Sequence, residues 1–244
     1  MGTFSCIYRF VPLSAGRGIE ILGTISEGQM FRILKARKGS KYVILKTPVV
    51  PDAMALDILR REYELAGNLY HPCIVVTIGF EERTPAGPAI VMEYIDGTNL
   101  RDFLTSAPAK EKQKAVLQDI LDGVDYLHHR GIIHNDLKPD NIIVTGNGAA
   151  RIIDFGLSAS SDSIYSGCIG GTIGFSAPEI LSGSGPSMTT SDIYSIGRLI
   201  EYLFGGRRYQ NIVRRCTAIA PEARPQDIRH LRQMIRSHDL GQHA

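Results

Sequence analysis

The sequence has almost no excess charge: 27 Lys and Arg against 25 Asp and Glu leave +2 over 244 residues. A chain so close to neutral gives no electrostatic footing for nucleic acid or an anionic membrane face. Long apolar runs are missing too, and none approaches the ~20 residues that a membrane-spanning helix needs. Cysteine is scarce, and Cys6, Cys73, Cys168 and Cys216 stand far apart. They show neither zinc-site spacing nor a disulfide framework, which points to a reducing compartment. The segment Met1 to Phe10 lacks the basic start and apolar stretch of a secretory signal. Gly2 follows Met1, but Cys6 stands where a myristoylation motif carries Ser or Thr. The expectation is cytoplasmic residence, in the cell that makes the protein or in a host cell that receives it as an effector.

What is present is an ordinary globular balance. Hydrophobic residues make up 43% and charged residues 21%, enough for a sizeable core and unlike a disordered chain. Alternating stretches at Ile19–Ile25, Met30–Ala36, Tyr42–Lys46, Val75–Phe80 and Ala89–Tyr94 read as strands. Turn signals at Lys38-Gly39-Ser40 and Pro85-Ala86-Gly87-Pro88 separate them. One helix interrupts the strands, from about Ala53 to Leu69, with Leu56, Leu59, Tyr63 and Ala66 at helical spacing. Helices then take over at Leu100–Thr105, Lys110–His129, Thr190–Phe204 and Ile228–Ile235. The expectation is an α+β chain forming one domain over residues 1–244. A small strand-rich lobe runs to about residue 92, a crossing spans 93–97, and a mainly helical lobe spans 98–244.

The chemistry is concentrated in a loop, His134-Asn135-Asp136-Leu137-Lys138-Pro139-Asp140-Asn141, followed by Ile142-Ile143-Val144. Asp154-Phe155-Gly156 comes after a strand-like hairpin, Ile142 to Val144 and Arg151 to Ile153. Phosphoryl transfer asks for a carboxylate beside the acceptor hydroxyl, a cation on the moving group and oxygen ligands for magnesium. The loop resembles the H-R-D-L-K-x-x-x-N catalytic loop of protein kinases, and Asp154-Phe155-Gly156 resembles their D-F-G element. Two such motifs at this spacing are a strong joint signal. Gly171 to Glu179, ending Ala177-Pro178-Glu179, looks like the end of a kinase activation segment. Asp192, in Ser191-Asp192-Ile193-Tyr194-Ser195-Ile196-Gly197, resembles the aspartate that anchors the catalytic loop, and Arg224 resembles the arginine that pairs with the A-P-E glutamate, here Glu179.

Upstream, Tyr42-Val43-Ile44-Leu45-Lys46 resembles the V-A-I-K strand. The resemblance implies a bilobal fold that uses ATP and Mg2+ to phosphorylate protein substrates. Asp136 and Lys138 would be catalytic, while Asn141 and Asp154 would hold the metal. Lys46, partnered by Glu62 in preference to Glu64, would bind the phosphates, with Gly23 and Gly28 of a glycine loop above them. Met92 would be the gatekeeper, and backbone groups of Glu93 and Ile95 would hold the adenine edge. Lys138 and Thr172 imply serine or threonine as acceptor. The glycine loop departs from the family's pattern, with Ile25 for the middle glycine and Glu27 for the tip aromatic. A β-branched residue restricts the backbone where glycine would not.

Asn135 replaces the arginine that in many kinases clamps a phosphate on the activation segment. Activity is therefore expected not to depend on phosphorylating Ser160, Ser161, Ser163, Tyr165 or Ser166. The stretch from Asp192 to Arg224 is short by roughly a helix and its loops, as in compact bacterial or effector-type kinases. Arg229, Arg232 and Arg236 share one helical face, read as a solvated face, with an acidic docking partner as the sharper alternative. An activating protein partner for the helix carrying Glu62 is also open. Two other classes remain: a pseudokinase binding module, and a small-molecule phosphotransferase sharing the two-lobed fold.

Overall fold

The computed structural model describes residues 18–161, 170–205 and 207–241. Gly2, Cys6, Ser163, Tyr165, Ser166 and Cys168 lie outside them. The chain begins with β1 (Ile19–Glu27), β2 (Phe31–Lys38) and β3 (Lys41–Pro48), then α1 (Ala53–Ala66), β4 (Thr77–Thr84) and β5 (Gly87–Glu93). These strands form one antiparallel sheet in the order β1-β2-β3-β5-β4. The two-residue period of a strand sorts β3 by face. Val43 and Leu45 join Leu34, Ala36, Ala89 and Val91 in one apolar cluster, whereas Ile44 packs on the other side with the main core. Lys46 shares the face of Ile44 and thereby points towards α1.

Asp52 caps α1, its side chain accepting from the Ala55 amide at 2.8 Å. The helix buries Ala55, Leu59, Glu62 and Ala66, a stripe of three apolar residues and one carboxylate. It ends at Ala66, three residues before the expected Leu69, where the Leu69 amide closes a tighter turn on the Ala66 carbonyl at 3.2 Å. The strand expected from Val75 starts at Thr77. The Val75 amide donates to the Ile152 carbonyl and the Val76 amide to Glu93 Oε1, so this stretch bridges the second lobe's hairpin and the end of β5 instead of joining β4.

The chain continues through β6 (Gly97–Asn99), α2 (Leu100–Thr105), α3 (Lys110–His129) and β7 (Ile132–Ile133). A 3-10 turn at Pro139–Asn141 leads into β8 (Ile142–Thr145), β9 (Ala150–Ile152) and β10 (Ala159–Ser160). Helices α4 (Pro178–Ser182), α5 (Thr189–Phe204), α6 (Gln210–Cys216) and α7 (Ile228–Gly241) complete it. The centre of this lobe is α3 against α5, which bury Val116, Leu117, Ile120, Leu121, Val124 and Leu127 on one side and Ile193, Ile196, Leu199, Ile200 and Leu203 on the other. The architecture is α+β, a strand-rich lobe beside a helical one. No helix of the described residues is long and apolar enough to cross a membrane.

The short stretch after α5 works because α6 packs directly onto it. A Cβ built on Gly197 would lie 2.5 Å from Cys216 Cβ and 3.1 Å from Thr217 Cγ2. Helix α7 runs six residues beyond the expected end at Ile235. Asp239 holds its last turn, accepting from Lys114 at 2.7 Å and from the Tyr209 hydroxyl at 2.9 Å. The arginine stripe is not uniformly free. Arg232 turns inward to Asp122 and to Gln118 of α3, while Arg229 and Arg236 stay exposed.

Gly197→Ala tests this close approach. Alanine gains helix propensity of about 1 kcal/mol, but the overlap with Cys216 costs ~1–3 kcal/mol. Urea unfolding is therefore expected to show a net loss of stability, where an open helical glycine would give a gain.

Candidate active site

Three charged side chains meet where the lobes face each other. Lys46 Nζ lies 2.8 Å from Glu62 Oε1, 2.7 Å from Glu62 Oε2 and 2.7 Å from Asp154 Oδ1. Burial opposes charge on Lys46, yet the two carboxylates outweigh it and hold the ammonium above its ordinary value. Burial pushes the Glu62 carboxyl up against the pull of Lys46, and the neighbouring Asp154 adds to the push. Asp154 goes the other way: its burial is outweighed by Lys46 and the Gly156 amide, which hold it below the usual range. With 42% of its side chain exposed, Asp154 presents an ionised oxygen to the cleft. Of this cluster, Asp154 is the member that offers an ionised oxygen to a cation. Gly156 is required for contact reasons as well, since a Cβ there would come 3.0 Å from Lys46 Nζ and 3.3 Å from Asp154 Oδ1.

The second group sits on the loop between β7 and β8. Asp136 Oδ2 accepts from Lys138 Nζ at 2.6 Å and from Asn141 Nδ2 at 3.0 Å, while Oδ1 accepts from the Thr172 hydroxyl at 2.9 Å. Lys138 Nζ also donates to Thr172 Oγ1 at 3.0 Å, which closes a triangle. Asn141 Nδ2 further donates to the Asp136 carbonyl at 2.9 Å, so its Oδ1 is left as an oxygen donor. The His134 ring stacks obliquely on Phe155 with centroids 5.2 Å apart. His134 Nδ1 accepts from the Asp136 amide at 3.3 Å and Nε2 faces the Ile153 carbonyl at 3.3 Å, which fixes the proton on Nε2.

Behind the loop stands Asp192, wholly buried. It accepts from the amides of His134 and Asn135 at 2.9 and 2.8 Å and pairs with His128 Nε2 at 2.9 Å. Its burial is outweighed by His128, and its carboxyl lies below the usual range. Asn135 takes φ +65° and Asp154 φ +67°, two of the three described non-glycine residues with positive φ. Asn and Asp tolerate that region better than most side chains, and strained backbone at these two positions marks the site. Asn135 Nδ2 donates to the Leu157 carbonyl at 2.9 Å. Farther out, Arg224 pairs with Glu179 through contacts of 2.6 and 2.9 Å and donates to the carbonyls of Ala218, Ile219 and Thr190.

The structure thus brings Lys46, Glu62, Asp136, Lys138, Asn141 and Asp154 to one cleft, and leaves Glu64 exposed. Gly23 lies in β1 and Gly28 in the turn to β2, whose amide donates to the Phe31 carbonyl at 2.9 Å. Of the hinge pair, Ile95 lies between β5 and β6, while the Glu93 amide donates to the Val76 carbonyl at 3.0 Å and its side chain pairs with Arg151. Three features escaped the motifs. Phe31 lies 5.4 Å beneath the Lys46 ammonium. Ile44, where V-A-I-K has alanine, is paired in register with Met92 and sets two large apolar side chains together. Arg198, one residue past the Asp192 motif, donates to the Gly174 carbonyl. None belongs to a short pattern, so only the register and the fold reveal them. Cys73 and Cys216 are buried, with thiols pushed up to about 11 and about 12 by burial, so neither is a nucleophile.

The Glu179–Arg224 pair has a pH signature. Burial of Glu179 is outweighed by Arg224, so its folded pKa is depressed. The stability it adds is full above its unfolded value of about 4.3 and drains as pH falls through the folded value. Glu179→Gln strands a buried guanidinium and is expected to cost ~3–5 kcal/mol at pH 7. In urea unfolding followed from pH 7 to 3, the gap between this variant and the parent should narrow, because a protonated Glu179 is itself neutral.

Comparison with known proteins bears on the whole arrangement. The family model described as protein kinase domain matches residues 17–233. The serine/threonine-protein kinase PknB of Mycobacterium tuberculosis is 34% identical over 199 residues, 77% of this chain and 32% of PknB. The mitogen-activated protein kinase kinase kinase MCK1 of Pyricularia oryzae is 31% identical over 205 residues, 78% of this chain and 13% of the relative. The MAP kinase kinase kinase mkh1 of Schizosaccharomyces pombe is 29% identical over 206 residues, 78% of this chain and 18% of the relative. The chain thus spans a third or less of the length of these relatives. The match over nearly its whole length, together with the two charged clusters facing one cleft, means that the chain belongs to the protein kinase family.

Proposed function

We propose that this chain transfers the γ-phosphate of ATP to serine or threonine hydroxyls of protein substrates, without needing a phosphate on its activation segment. The observation that carries the reading is the triangle of Asp136, Lys138 and Thr172, with every contact at 3.0 Å or less. In that arrangement Asp136 accepts the proton of the acceptor hydroxyl, and Lys138 sets a positive charge beside the phosphoryl group in transit. Lys46, already ionised and aimed by Glu62, holds the α- and β-phosphates. Asp154 and the free oxygen of Asn141 are hard donors of the kind Mg2+ takes alongside substrate phosphates, and the ionised oxygen of Asp154 fits it. Magnesium would supply neutralisation of the phosphate charge. The adenine would lie at the hinge against backbone groups of Glu93 and Ile95, with the Glu93 carbonyl rather than its amide facing it, and with Gly23 and Gly28 above the phosphates.

Independence from segment phosphorylation rests on Asn135. Its side chain is neutral and donates to the Leu157 carbonyl, a bond from the loop to the start of the segment that a phosphate would not improve. The names of the relatives support protein substrates and serine or threonine as acceptor. One domain with a hinge at residues 93–97, action in the cytoplasm or in a recipient cell, and an acidic or activating partner all belong to this proposal. For the acidic partner, only Arg229 and Arg236 of the stripe remain available.

The test is radiolabel transfer from γ-labelled ATP with magnesium to the protein itself and to myelin basic protein, beside Asp136→Ala. Label on serine or threonine that disappears in the variant is expected. ATP binding with no transfer to protein or to small acceptors would make the chain a binding module, and transfer to aminoglycosides alone would make it a small-molecule phosphotransferase. Changing Ser160, Ser161, Ser163 and Ser166 to Ala and Tyr165 to Phe should leave the rate within about twofold, under ~0.5 kcal/mol of barrier; a loss of tenfold or more would sink the phosphate-independent reading.

A further inference from the structure

Asn135 deprives the activation segment of a cation from the catalytic loop, yet its far end is held. Thr172 is fixed to Asp136 and Lys138, its amide donates to Ser176 Oγ at 2.8 Å, and its carbonyl accepts from the Phe175 and Ser176 amides. Between these ties the turn at Ile173 and Gly174 stands in solvent. Ile173 is 90% exposed. Gly174 has φ +91°, and a Cβ there would meet nothing within 4 Å. Steric packing therefore does not set the position of this turn. What reaches it is Arg198 of α5, whose Nε donates to the Gly174 carbonyl at 2.7 Å. The guanidinium is aimed in turn by Glu201, which accepts from Nη1 at 2.5 Å. One helical turn beyond Arg198, Tyr202 receives the Phe175 ring edge-on at 5.9 Å.

We infer that Arg198 is the positioning residue for the protein acceptor, fixing the turn at Gly174 relative to the catalytic aspartate. The reason lies in α5. Asp192 holds the amides of His134 and Asn135, and Arg198 follows six residues later on the same rigid helix, about 9 Å along its axis. One element thus sets the spacing between the catalytic loop and the wall against which an acceptor polypeptide would lie. A charged donor on a carbonyl is stronger than a neutral hydrogen bond, and its strength does not depend on a phosphate. This inference rests on the protein-kinase reading. It adds a residue that does no chemistry and is not needed for ATP, so its loss should be felt by the acceptor alone.

The experiment compares the full chain with Arg198→Ala, Arg198→Lys and Glu201→Gln, using magnesium, ATP and myelin basic protein. Arg198→Ala is expected to lower kcat/KM for the acceptor by roughly 10- to 100-fold, mostly through KM, as a displaced binding wall does. The KM for ATP and the hydrolysis of ATP without acceptor should stay within about twofold, because neither uses the turn. Arg198→Lys should recover most of the loss, since an ammonium can still reach one carbonyl, and Glu201→Gln should show a smaller loss of the same kind. Unchanged acceptor kinetics in Arg198→Ala would overturn the inference, and so would an equal fall in transfer and in acceptor-free hydrolysis, which would mark a merely structural residue. The parent chain separates the two ideas. If it labels no protein at all, the kinase reading fails and takes this inference with it; if it labels protein and Arg198→Ala does so equally well, only this inference fails.

Discussion

A single buried carboxylate organises the helical lobe. Asp192 has no exposure to solvent, and a charge in that position is tolerable only if every lone pair finds a donor. Its donors are two successive backbone amides of the catalytic loop and the His128 ring from α3. The requirement runs in both directions. Asp192 needs the loop for its own solvation, and the loop, which carries Asp136, Lys138 and Asn141 between β7 and β8, needs Asp192 to hold its left-handed turn at Asn135. Helix α5 is pinned between these demands and the close approach of α6 at Gly197, so its position leaves little freedom.

The link between the lobes is electrostatic as well as apolar. The main core continues from the face of the sheet that carries Ile44, Ile90 and Met92 into α3, β8 and β9. Across that continuity lies Lys46, on the strand face that looks towards α1, with one carboxylate from each lobe. Burial pushes both carboxyls up; at Asp154 the Lys46 ammonium and the Gly156 amide outweigh it, whereas at Glu62 the charge of Asp154 adds to the push. The same ammonium aligns α1 and the Asp154 turn, so neither element can shift without stranding a buried charge. Arg151, reaching both the Ile74 carbonyl and Glu93, is a second tie of this sort at the back of the hinge.

Brevity in the segment between Asp192 and Arg224 has not cost the lobe its anchors. Arg224 is buried to 2% exposure and uses its guanidinium on Glu179 and three carbonyls, with the Tyr194 ring 5.1 Å away. Helix α6 packs closely on α5 at Gly197, and α7 closes the base through Asp239, Lys114 and Tyr209. The arginines that look like a basic stripe in one dimension divide accordingly: Arg232 serves the fold, and Arg229 and Arg236 remain outside.

The sequence by itself determined which side chains to look for. Two short motifs at fixed spacing pointed to Asp136, Lys138, Asn141 and Asp154, because the proposed phosphoryl transfer tolerates few substitutes for a carboxylate, a cation and hard oxygen donors. Strand and helix periods gave the α+β division, since apolar spacing is dictated by the repeat of each element. Strand and helix ends were less legible. Val75 and Val76 have strand-like side chains, but Val75 bonds to Ile152 of the other lobe and Val76 to Glu93 at the end of β5, and the last turn of α7 is polar in sequence yet held by Asp239. What only the tertiary structure decided are contacts between residues distant in sequence and outside any motif: Phe31 beneath Lys46, Ile44 beside Met92, the Glu93 amide engaged by Val76, and Arg198 on the Gly174 carbonyl. Such pairings depend on register and on how one helix lies against a turn, and no local pattern of residues encodes a distance through space.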